Sequence, residues 1–415
     1  MKYITFDKKN ILVMLLLLLP ERFVYLVNQS AFASIFHISY PDFVMLVHFS
    51  VFLYVLTRFK INEFQNNYFM SNVLLIIPLV TMASIVPYFL FGQQVLHALL
   101  AQKCFLMILC YYYTVRTLIL EKVVAADYLW DCLYKLSFVV TGAVIIQHTL
   151  AGYIRFLNVS YDTRFGVRIY DNVTFSNVLL IGSLFSFFKT SNRREKITAV
   201  IGLVMSYYHI VIVSQTRIIM VATGVLTIVM ALFYRNSALK KITYIFIILG
   251  IVLIISQTEL AQYLLSSLAD SSSDPSAQIR EIGKAYYISE ISKTPLVGRG
   301  YPHIVSPEAY QAAGLNNNIF LNDNGLFGFA YIYGIIGLIW YIWLAVKMLI
   351  CSFKAVKNGD YRFLLLVIYL QIVCPNIITW YWRPMFALFL AIMLALMEQY
   401  ANADYEHKVR FYFGN

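Results

Sequence analysis

Long apolar segments separated by short polar stretches recur along the whole chain. Within each segment the apolar residues run on continuously and do not alternate every second position. A continuous run of about 20 residues crosses a bilayer as an α-helix, whereas alternation is typical of a transmembrane barrel. The pattern predicts about twelve spanning helices, near residues 11–30, 41–57, 70–91, 95–115, 136–153, 173–188, 197–213, 218–234, 242–257, 325–346, 363–379 and 385–400.

The composition agrees with a membrane protein. Of the 415 residues 60% are hydrophobic and 13% charged, and the mean hydropathy is +0.70. Soluble domains carry about 25% charged residues. We therefore predict an all-α, polytopic integral membrane protein that forms a single transmembrane domain over residues 1–415.

The basic residues predict the orientation. With the N-terminus in the cytoplasm, roughly two-thirds of the Lys and Arg residues fall on the cytoplasmic side, as the positive-inside rule requires. Both termini are then cytoplasmic. This distribution accounts for the net charge of +11 and the pI of about 9.2, so no nucleic-acid partner is predicted.

The first apolar run is read as an uncleaved span that is broken at Pro20, because no small-residue cleavage site follows it. The chain has five cysteines, which lie in or beside apolar segments without a CxxC spacing. Neither a structural metal nor a disulfide framework is predicted, and no cofactor is expected.

The predicted outer face is rich in arginine, whereas lysine is the commoner base inside. The planar guanidinium binds phosphate in a bidentate fashion. Some outer arginines should be ordinary ion-pair partners of outer acids, and a few remain as candidate anion ligands. These candidates are Arg164, Arg168, Arg217, Arg280 and Arg299.

One long connection, residues 258–322, is predicted to be a large external loop, and loops of this length are often functional. Asp274 as N-cap and Pro275 as first residue predict an amphipathic helix that ends before Pro295. The apolar stripe expected to face the membrane-embedded body consists of Ile279, Ile282 and Tyr286.

Arg280 and Lys284 are one turn apart on this predicted helix, where they could hold an anionic headgroup. The alternative is a solvated face on which they pair with Glu281 and Glu290.

Three segments carry a family resemblance. They are RFGVRIYDNVTFSNVLLIG from Arg164, SQTRIIMVATGVLTIVM around Arg217, and IREIGKAYYISEISKTPLVGRGY followed by DNGLFGFAYIYGIIG. Their order resembles the O-antigen polymerase (Wzy) and O-antigen ligase superfamily of bacterial membrane glycosyltransferases, over roughly residues 160–345.

The last segment separates the two branches of that superfamily. Ligases have a His-Asn pair nine residues before GxxG, whereas here Asp323 and Asn324 precede Gly334 and Gly337. The acid in place of histidine favours the polymerase branch. Taken alone, the two glycines would indicate close helix packing.

The resemblance implies a substrate in which an oligosaccharide repeat unit is linked to undecaprenyl pyrophosphate. Donor and acceptor of this kind would be joined at the outer leaflet of the bacterial cytoplasmic membrane, with the active site facing the periplasm or outside. The product would be O-antigen, capsular polysaccharide or exopolysaccharide. Membrane lipid, a chain-length regulator and a flippase of the same pathway are the expected partners.

This chemistry assigns roles to particular residues. Fixed cations stabilise a departing pyrophosphate, and Arg217 is the first choice, followed by Arg280 and then by Arg164 and Arg168. Asp323 is the candidate base for the acceptor hydroxyl, with an N-cap of the following helix as its alternative role. Further candidate ligands of pyrophosphate or glycan are Lys284, Arg299, Tyr301, His303 and Asn324, and His303 is also the alternative base.

Other functions stay open at this point. A ligase-type glycan transferase is the nearest alternative. A lipid-linked oligosaccharide flippase would also have about twelve spans, but transporters place ionisable groups at mid-membrane and show related halves. Aromatic residues at 380–384 indicate an interfacial belt, with Arg383 as a minor candidate for sugar contact.

Overall fold

The computed structural model describes residues 8–59, 67–163, 166–170, 173–234, 275–317, 319–373 and 383–413. These residues are mostly helical and include one two-stranded hairpin. The helices are α1 Lys8–Leu18, α2 Gln29–Phe36, α3 Tyr40–Arg58, α4 Met70–Leu74, α5 Ile76–Phe91, α6 Val95–Ala101, α7 Lys103–Leu120, α8 Ala126–Thr149, α9 Thr174–Lys189, α10 Arg193–Tyr208, α11 Arg217–Phe233, α12 Pro275–Lys293, α13 Pro307–Ala312, α14 Gly325–Lys357, α15 Arg362–Ile372 and α16 Pro384–Phe413.

Seven helices in the described ranges are long and apolar enough to cross a membrane. The seven are Tyr40–Arg58, Met70–Phe91, Lys103–Leu120, Ala126–Thr149, Arg193–Ser214, Leu321–Lys357 and Pro384–Ala401. A bent pair, Ile11–Tyr25 and Gln29–Phe36, would make eight. The helices therefore fit an all-α protein that crosses the membrane several times.

The predicted count of twelve is not reproduced. Three apolar helices, Thr174–Lys189, Arg217–Phe233 and Arg362–Ile372, have fewer than 18 residues. The predicted span 95–115 consists of two helices, α6 and α7, that are separated at Gln102. The predicted span 242–257 lies outside the described residues, as do residues 374–379 of the span predicted at 363–379.

The chain divides into two compact units, each built from three stretches of sequence. Unit 1 consists of Met1–Val51, Thr117–Ser256 and Gly359–Tyr369. Unit 2 consists of Phe52–Arg116, Gln257–Asn358 and Leu370–Asn415.

In unit 1, α9 is the central helix, buried on all sides from Thr174 to Phe185. Small residues allow α10 to approach it closely. A Cβ added at Gly202 would lie 2.1 Å from the Ser183 hydroxyl oxygen. Strands β1 (Ser160–Thr163) and β2 (Val167–Tyr170) pair in antiparallel fashion, with Thr163 opposite Val167. The hairpin follows α8 and precedes α9 in sequence.

In unit 2, a buried polar network joins helices that are otherwise apolar. Glu398 on α16 lies 3.4 Å from the Arg116 guanidinium and accepts hydrogen bonds from the Tyr112 hydroxyl (2.6 Å) and the Tyr68 amide (2.9 Å). Arg116 also donates to Gln399 at 2.9 Å. Charge buried in this way is tolerated because each charged group has partners.

Candidate functional site

Helix α12 ends before Pro295, as the sequence predicts, but the face that it buries is not the predicted one. Gly283, Tyr287 and Glu290 are its buried residues, whereas Ile279 and Ile282 are 40% and 60% exposed. The predicted contact stripe is therefore wrong for Ile279 and Ile282, whereas Tyr286 is half-buried and its hydroxyl donates to the Ala312 carbonyl at 2.9 Å. Residues four and three positions apart share a helix face, and here that face combines a glycine, a tyrosine and an acid, so hydrophobicity alone could not identify it.

The buried face of α12 lies against the start of α14. A Cβ added at Gly283 would meet the Asn324 side chain at 2.6 Å. The Tyr287 hydroxyl donates to the carbonyls of Ala313 (3.0 Å) and Ile319 (3.1 Å). These contacts hold the middle of α12 beside the turn that precedes α14.

Arg280 and Asp323 lie near each other at this junction, and Arg280, Lys284 and Asp323 are all exposed. Arg280 lies close enough for its charge to act on the Asp323 carboxylate. The Lys284 ammonium lies 5.4 Å from the centroid of the Phe327 ring. Among the residues that the structure describes, neither Arg280 nor Lys284 forms a salt bridge with Glu281 or Glu290.

Asp323 and Asn324 occupy the last turn before α14, the 3₁₀ segment Leu321–Asn324. Asn324 stands at the N-cap position, but its side chain makes no capping hydrogen bond and its amide donates to the Phe320 carbonyl at 2.9 Å. The Asn324 side chain therefore does not cap α14 in the described structure. Asp323 is exposed, and Arg280 is its neighbouring cation.

Helix α14 is interrupted at Gly334, whose φ of 62° and ψ of −159° lie outside the helical region. The interruption leaves carbonyls without their helical donors and amides without their helical acceptors. Residues 295–303, here called the strap, supply the missing partners. Ile335 and Ile336 donate to the carbonyls of Pro295 and Leu296, at 2.9 and 3.2 Å.

On the other side of the interruption, the amides of Arg299 and Gly300 donate to the carbonyls of Tyr331 (2.6 Å) and Ile332 (3.2 Å). Gly298 and Gly300 have φ values of 70° and 79°, and added Cβ atoms would lie within 2.7 Å of backbone atoms. Only glycine fits these positions. The predicted close packing at Gly334 is thus a break in the helix with another chain segment paired to it.

The strap also forms a backbone hydrogen bond with α5. Pro87 lies inside that helix and makes the bond possible. Proline has no amide hydrogen, so the carbonyl of Ala83, four residues earlier, lacks its helical donor. The Tyr301 amide takes this place at 2.9 Å. The side chain of Gln93 then brackets the strap, donating to the Tyr301 carbonyl and accepting from the His303 amide, both at 2.8 Å.

Arg299 and Tyr301 are two predicted ligands of pyrophosphate or glycan, but their side chains contact other parts of the protein. The Nε of Arg299 lies 3.2 Å from Oε2 of Glu290, an ion pair without the angle of a straight hydrogen bond. Its guanidinium stands 5.0 Å from the centroid of the Phe91 ring. The Tyr301 side chain is buried. These residues join α12, the strap and α5.

His303 stacks on His97, with ring centroids 5.1 Å apart. Burial, and then the charge of His97, lower the pKa of His303 below its ordinary value. Its Nδ1 accepts from the Val305 amide at 3.2 Å. His303 is therefore harder to protonate than a free imidazole, and it is partly accessible.

Arg217 and Arg168 form a second cluster, which belongs to unit 1. Helix α10 continues as a π-helix, His209–Ser214, and α11 begins at Arg217 after Gln215 in the left-handed conformation. Arg168 is buried, and its Nε donates to the Ser214 carbonyl at 2.7 Å. Arg168 thus fixes the turn that places Arg217 at the N-terminus of a helix, where backbone amides favour anions.

Arg164 and Asp274 lie outside the described residues, and so does most of the segment 380–384. Among the described residues, no group of three or more His, Cys, Asp or Glu side chains converges as a metal site.

Sequence reasoning missed three residues that organise the site. Gln93 and Pro87 gave no chemical signal, since their roles depend on a segment about 210 residues away. Glu290 entered only as a possible partner of the α12 cations. A signal did exist in GRG and GIIG, because clustered glycines in an apolar chain favour close backbone approach.

No protein-family model and no curated protein matches this chain. The resemblance to the polymerase and ligase superfamily therefore depends on the motifs alone.

Proposed function

We propose that this protein is a membrane glycosyltransferase that polymerises undecaprenyl-pyrophosphate-linked oligosaccharide repeat units. The observation that carries the proposal is the junction of α12 and α14, where exposed Arg280 lies near exposed Asp323 and exposed Lys284 faces Phe327 of α14. This junction lies at the end of a helix long and apolar enough to cross a membrane. Cations and a carboxylate at that position suit a substrate with a lipid tail, a pyrophosphate and a sugar.

The reaction requires a hydroxyl of one sugar unit to attack the anomeric carbon of another. The bond from that carbon to the pyrophosphate oxygen breaks, and the pyrophosphate leaves with the electron pair. Negative charge grows on the leaving group, so guanidinium and ammonium groups lower the barrier. In the proposal, Arg280 and Lys284 have this role and Asp323 accepts the proton of the attacking hydroxyl.

In unit 1, Arg217 is a separate candidate phosphate ligand. A cation at the first position of a helix is unfavourable against the helix dipole. A bound anion offsets that cost, because it interacts with the guanidinium and the helix amides together. Arg168 then acts through the turn that it fixes. No cofactor or metal ion takes part in the proposed step.

The proposed orientation has both termini in the cytoplasm, with about twelve spans and residues 258–322 on the outer side of the cytoplasmic membrane. The positive-inside distribution supports it. The strap modifies the simple loop, because residues 295–303 pair with α5 and α14. In the proposal, substrate binds at α12 and the turn before α14.

The test uses purified full-length protein in lipid nanodiscs, supplied with single repeat units on undecaprenyl pyrophosphate from the host strain. We expect a ladder of longer lipid-linked products. Asp323→Asn keeps the size of the side chain and loses the base, so its ladder should be absent. Glu281→Gln, on the same helix turn as Arg280, is the matched control and should polymerise normally.

A wild-type ladder from Asp323→Asn would remove Asp323 from the mechanism. The flippase alternative would hold if the wild-type protein made no ladder and, when reconstituted in proteoliposomes, moved the single units across their membrane. Transfer of the glycan to a different acceptor would indicate a ligase.

A further inference from the structure

The N-terminal helices of unit 1 do not continue straight through a membrane. Four consecutive residues, Arg22–Tyr25, have φ values between 49° and 63°. Left-handed turns of this kind are costly for residues other than glycine. The chain is redirected, and α2 lies at 111° to the preceding helical segment.

One side of helix α2 packs against the rest of unit 1, and the other side is exposed. Phe32 packs on Tyr40, with ring centroids 5.1 Å apart, and belongs to a small core with Leu19 and Val44. None of the residues from Gln29 to Phe36 is fully buried. The sequence QSAFASIF contains no charged residue.

The exposed side of α2 is apolar. Ile35 and Phe36 are 68% and 61% exposed, and Leu26 just before the helix is 60% exposed. Asn28 caps the helix by accepting from the amides of Ser30 and Ala31. The helix is therefore a defined element that presents large apolar side chains outward.

A second apolar segment adjoins the first. Residues 153–156 follow the end of α8 by a few positions, and Tyr153, Ile154 and Phe156 are 89%, 58% and 39% exposed. The loop is held in place, since Gln147 of α8 donates to the Ile154 carbonyl (2.9 Å) and accepts from the Phe156 amide (2.7 Å). Its exposure is thus built into the fold.

Asn158 ties the two segments together. Its amide and side-chain nitrogens donate to the carbonyls of Tyr25 (2.8 Å) and Leu26 (2.9 Å), and its side-chain oxygen accepts from Asn28 at 3.2 Å. The end of the bent N-terminal segment and the end of the spanning helix α8 therefore lie on the same side of unit 1. We call the exposed residues Leu26, Ile35, Phe36, Tyr153, Ile154 and Phe156 the apolar rim.

Two cations accompany the apolar rim. Arg155 lies within the second segment, exposed, with its guanidinium 4.7 Å from the centroid of the Tyr161 ring. Arg22 stacks on Tyr25 at 4.9 Å in the left-handed turn. Aromatic, aliphatic and arginine side chains in this combination are typical of the boundary between acyl chains and lipid headgroups.

We propose that the apolar rim is an interfacial anchor whose ligand is bilayer phospholipid at the boundary of acyl chains and headgroups. Apolar side chains bury their surface among the upper acyl carbons, and Arg22 and Arg155 contact lipid phosphates. The position supports lipid, because the rim begins where a spanning helix ends and α2 runs across the direction of the preceding helix. Large exposed apolar side chains grouped at one end of a unit mark an interaction or membrane surface.

The anchor sets the depth of the neighbouring loop. Loop 153–156 leads directly into the hairpin, and Arg168 of β2 bonds to the turn before Arg217. The rim at the headgroup boundary therefore keeps this turn at the level of lipid phosphates. The lipid contact itself does not depend on the proposed enzymatic function.

The test is depth-dependent fluorescence quenching in the full-length protein. Phe36→Cys and Tyr153→Cys are labelled separately with bimane and reconstituted in vesicles of phosphatidylcholine and phosphatidylglycerol. The unsubstituted protein, labelled in parallel, gives the background from native cysteines. Val204→Cys, exposed on the spanning helix α10, is the mid-membrane control, and exposed Ser191→Cys is the aqueous control.

We expect both rim labels to be quenched about twofold more by 5-doxyl lipid than by 12-doxyl lipid, and only weakly by aqueous iodide. Val204→Cys should show the opposite lipid preference, and Ser191→Cys should respond to iodide. Quenching of the rim labels by iodide, as for Ser191→Cys, would overturn the proposal. Protection from lipid and aqueous quenchers alike would also overturn it, since that result indicates cover by a second protein chain.

Discussion

Substitution of Gly334 by alanine should separate the strap from α14. The backbone at Gly334, with φ 62° and ψ −159°, lies in a region that is nearly exclusive to glycine, and another residue there costs about 1–3 kcal/mol. An added Cβ would also lie 2.3 Å from the Leu296 carbonyl oxygen and 2.5 Å from the Gly298 amide nitrogen. Ordinary contacts begin near 3.4 Å, so the strap must move by about 1 Å.

Such a movement weakens the four backbone hydrogen bonds between the strap and α14, whose lengths are 2.6 to 3.2 Å. Each contributes about 1 kcal/mol net. Gly334→Ala should therefore lower the free energy of unfolding by on the order of 4 kcal/mol, part of the strain being relieved when the bonds break. The midpoint of thermal unfolding in detergent should fall by several degrees.

Gly224 on α11 provides the matched control. It lies in a regular helix, and nothing stands within 4 Å of an added Cβ. Gly224→Ala should leave the midpoint unchanged or raise it, because alanine favours a helix by about 1 kcal/mol over glycine. A Gly334→Ala protein with the wild-type midpoint would refute the account of the broken helix.

Three further predictions concern single side chains. Arg299→Ala removes one of the two cations paired with buried Glu290, which keeps exposed Lys293, and should lower the free energy of unfolding by about 1–3 kcal/mol; the double variant with Glu290→Gln should recover part of the loss in the same unfolding assay, and full additivity would argue against the pair. Arg217→Lys should abolish polymer almost as completely as Arg217→Ala, because a point charge lacks the bidentate fork; glycan ladders at normal protein levels measure this, and near-normal ladders from the lysine variant would exclude the fork. The lowered pKa of His303 means that the unfolded chain binds a proton more readily, so stability should fall as the pH drops below about 6.5 and less so in His303→Gln; unfolding midpoints at pH 7.5 and 5.5 measure the difference, and equal losses in both proteins would contradict it.

The sequence predicts the parts of this fold that depend on local patterns. Continuous apolar runs predict the seven long apolar helices among the described residues, and Pro275 and Pro295 bracket α12 as predicted. How these helices pack depends on features other than hydrophobicity. In α12 the buried face is Gly283, Tyr287 and Glu290, because close backbone approach and pairing decided its orientation more than hydrophobicity did.

The site is predictable only in part for the same reason. The motifs name Arg280, Asp323 and Asn324 as candidates, and the structure brings Arg280 near Asp323 and Gly283 against Asn324. The pairing of Arg299 with Glu290 also needs the strap to enter the break at Gly334. Hydropathy gives no measure of such backbone pairing, because the bonds join main-chain groups that every residue possesses.

The central claim is that this protein joins lipid-linked repeat units to one another, and the lipid-linked glycans of a deletion strain test it most directly. Without a polymerase, completed single units are still exported. We predict single repeat units on the final acceptor or on undecaprenyl pyrophosphate, and longer chains should return with the wild-type gene but not with Asp323→Asn. Long polymer accumulating on the lipid carrier, or single units confined to the cytoplasmic leaflet, would contradict the claim.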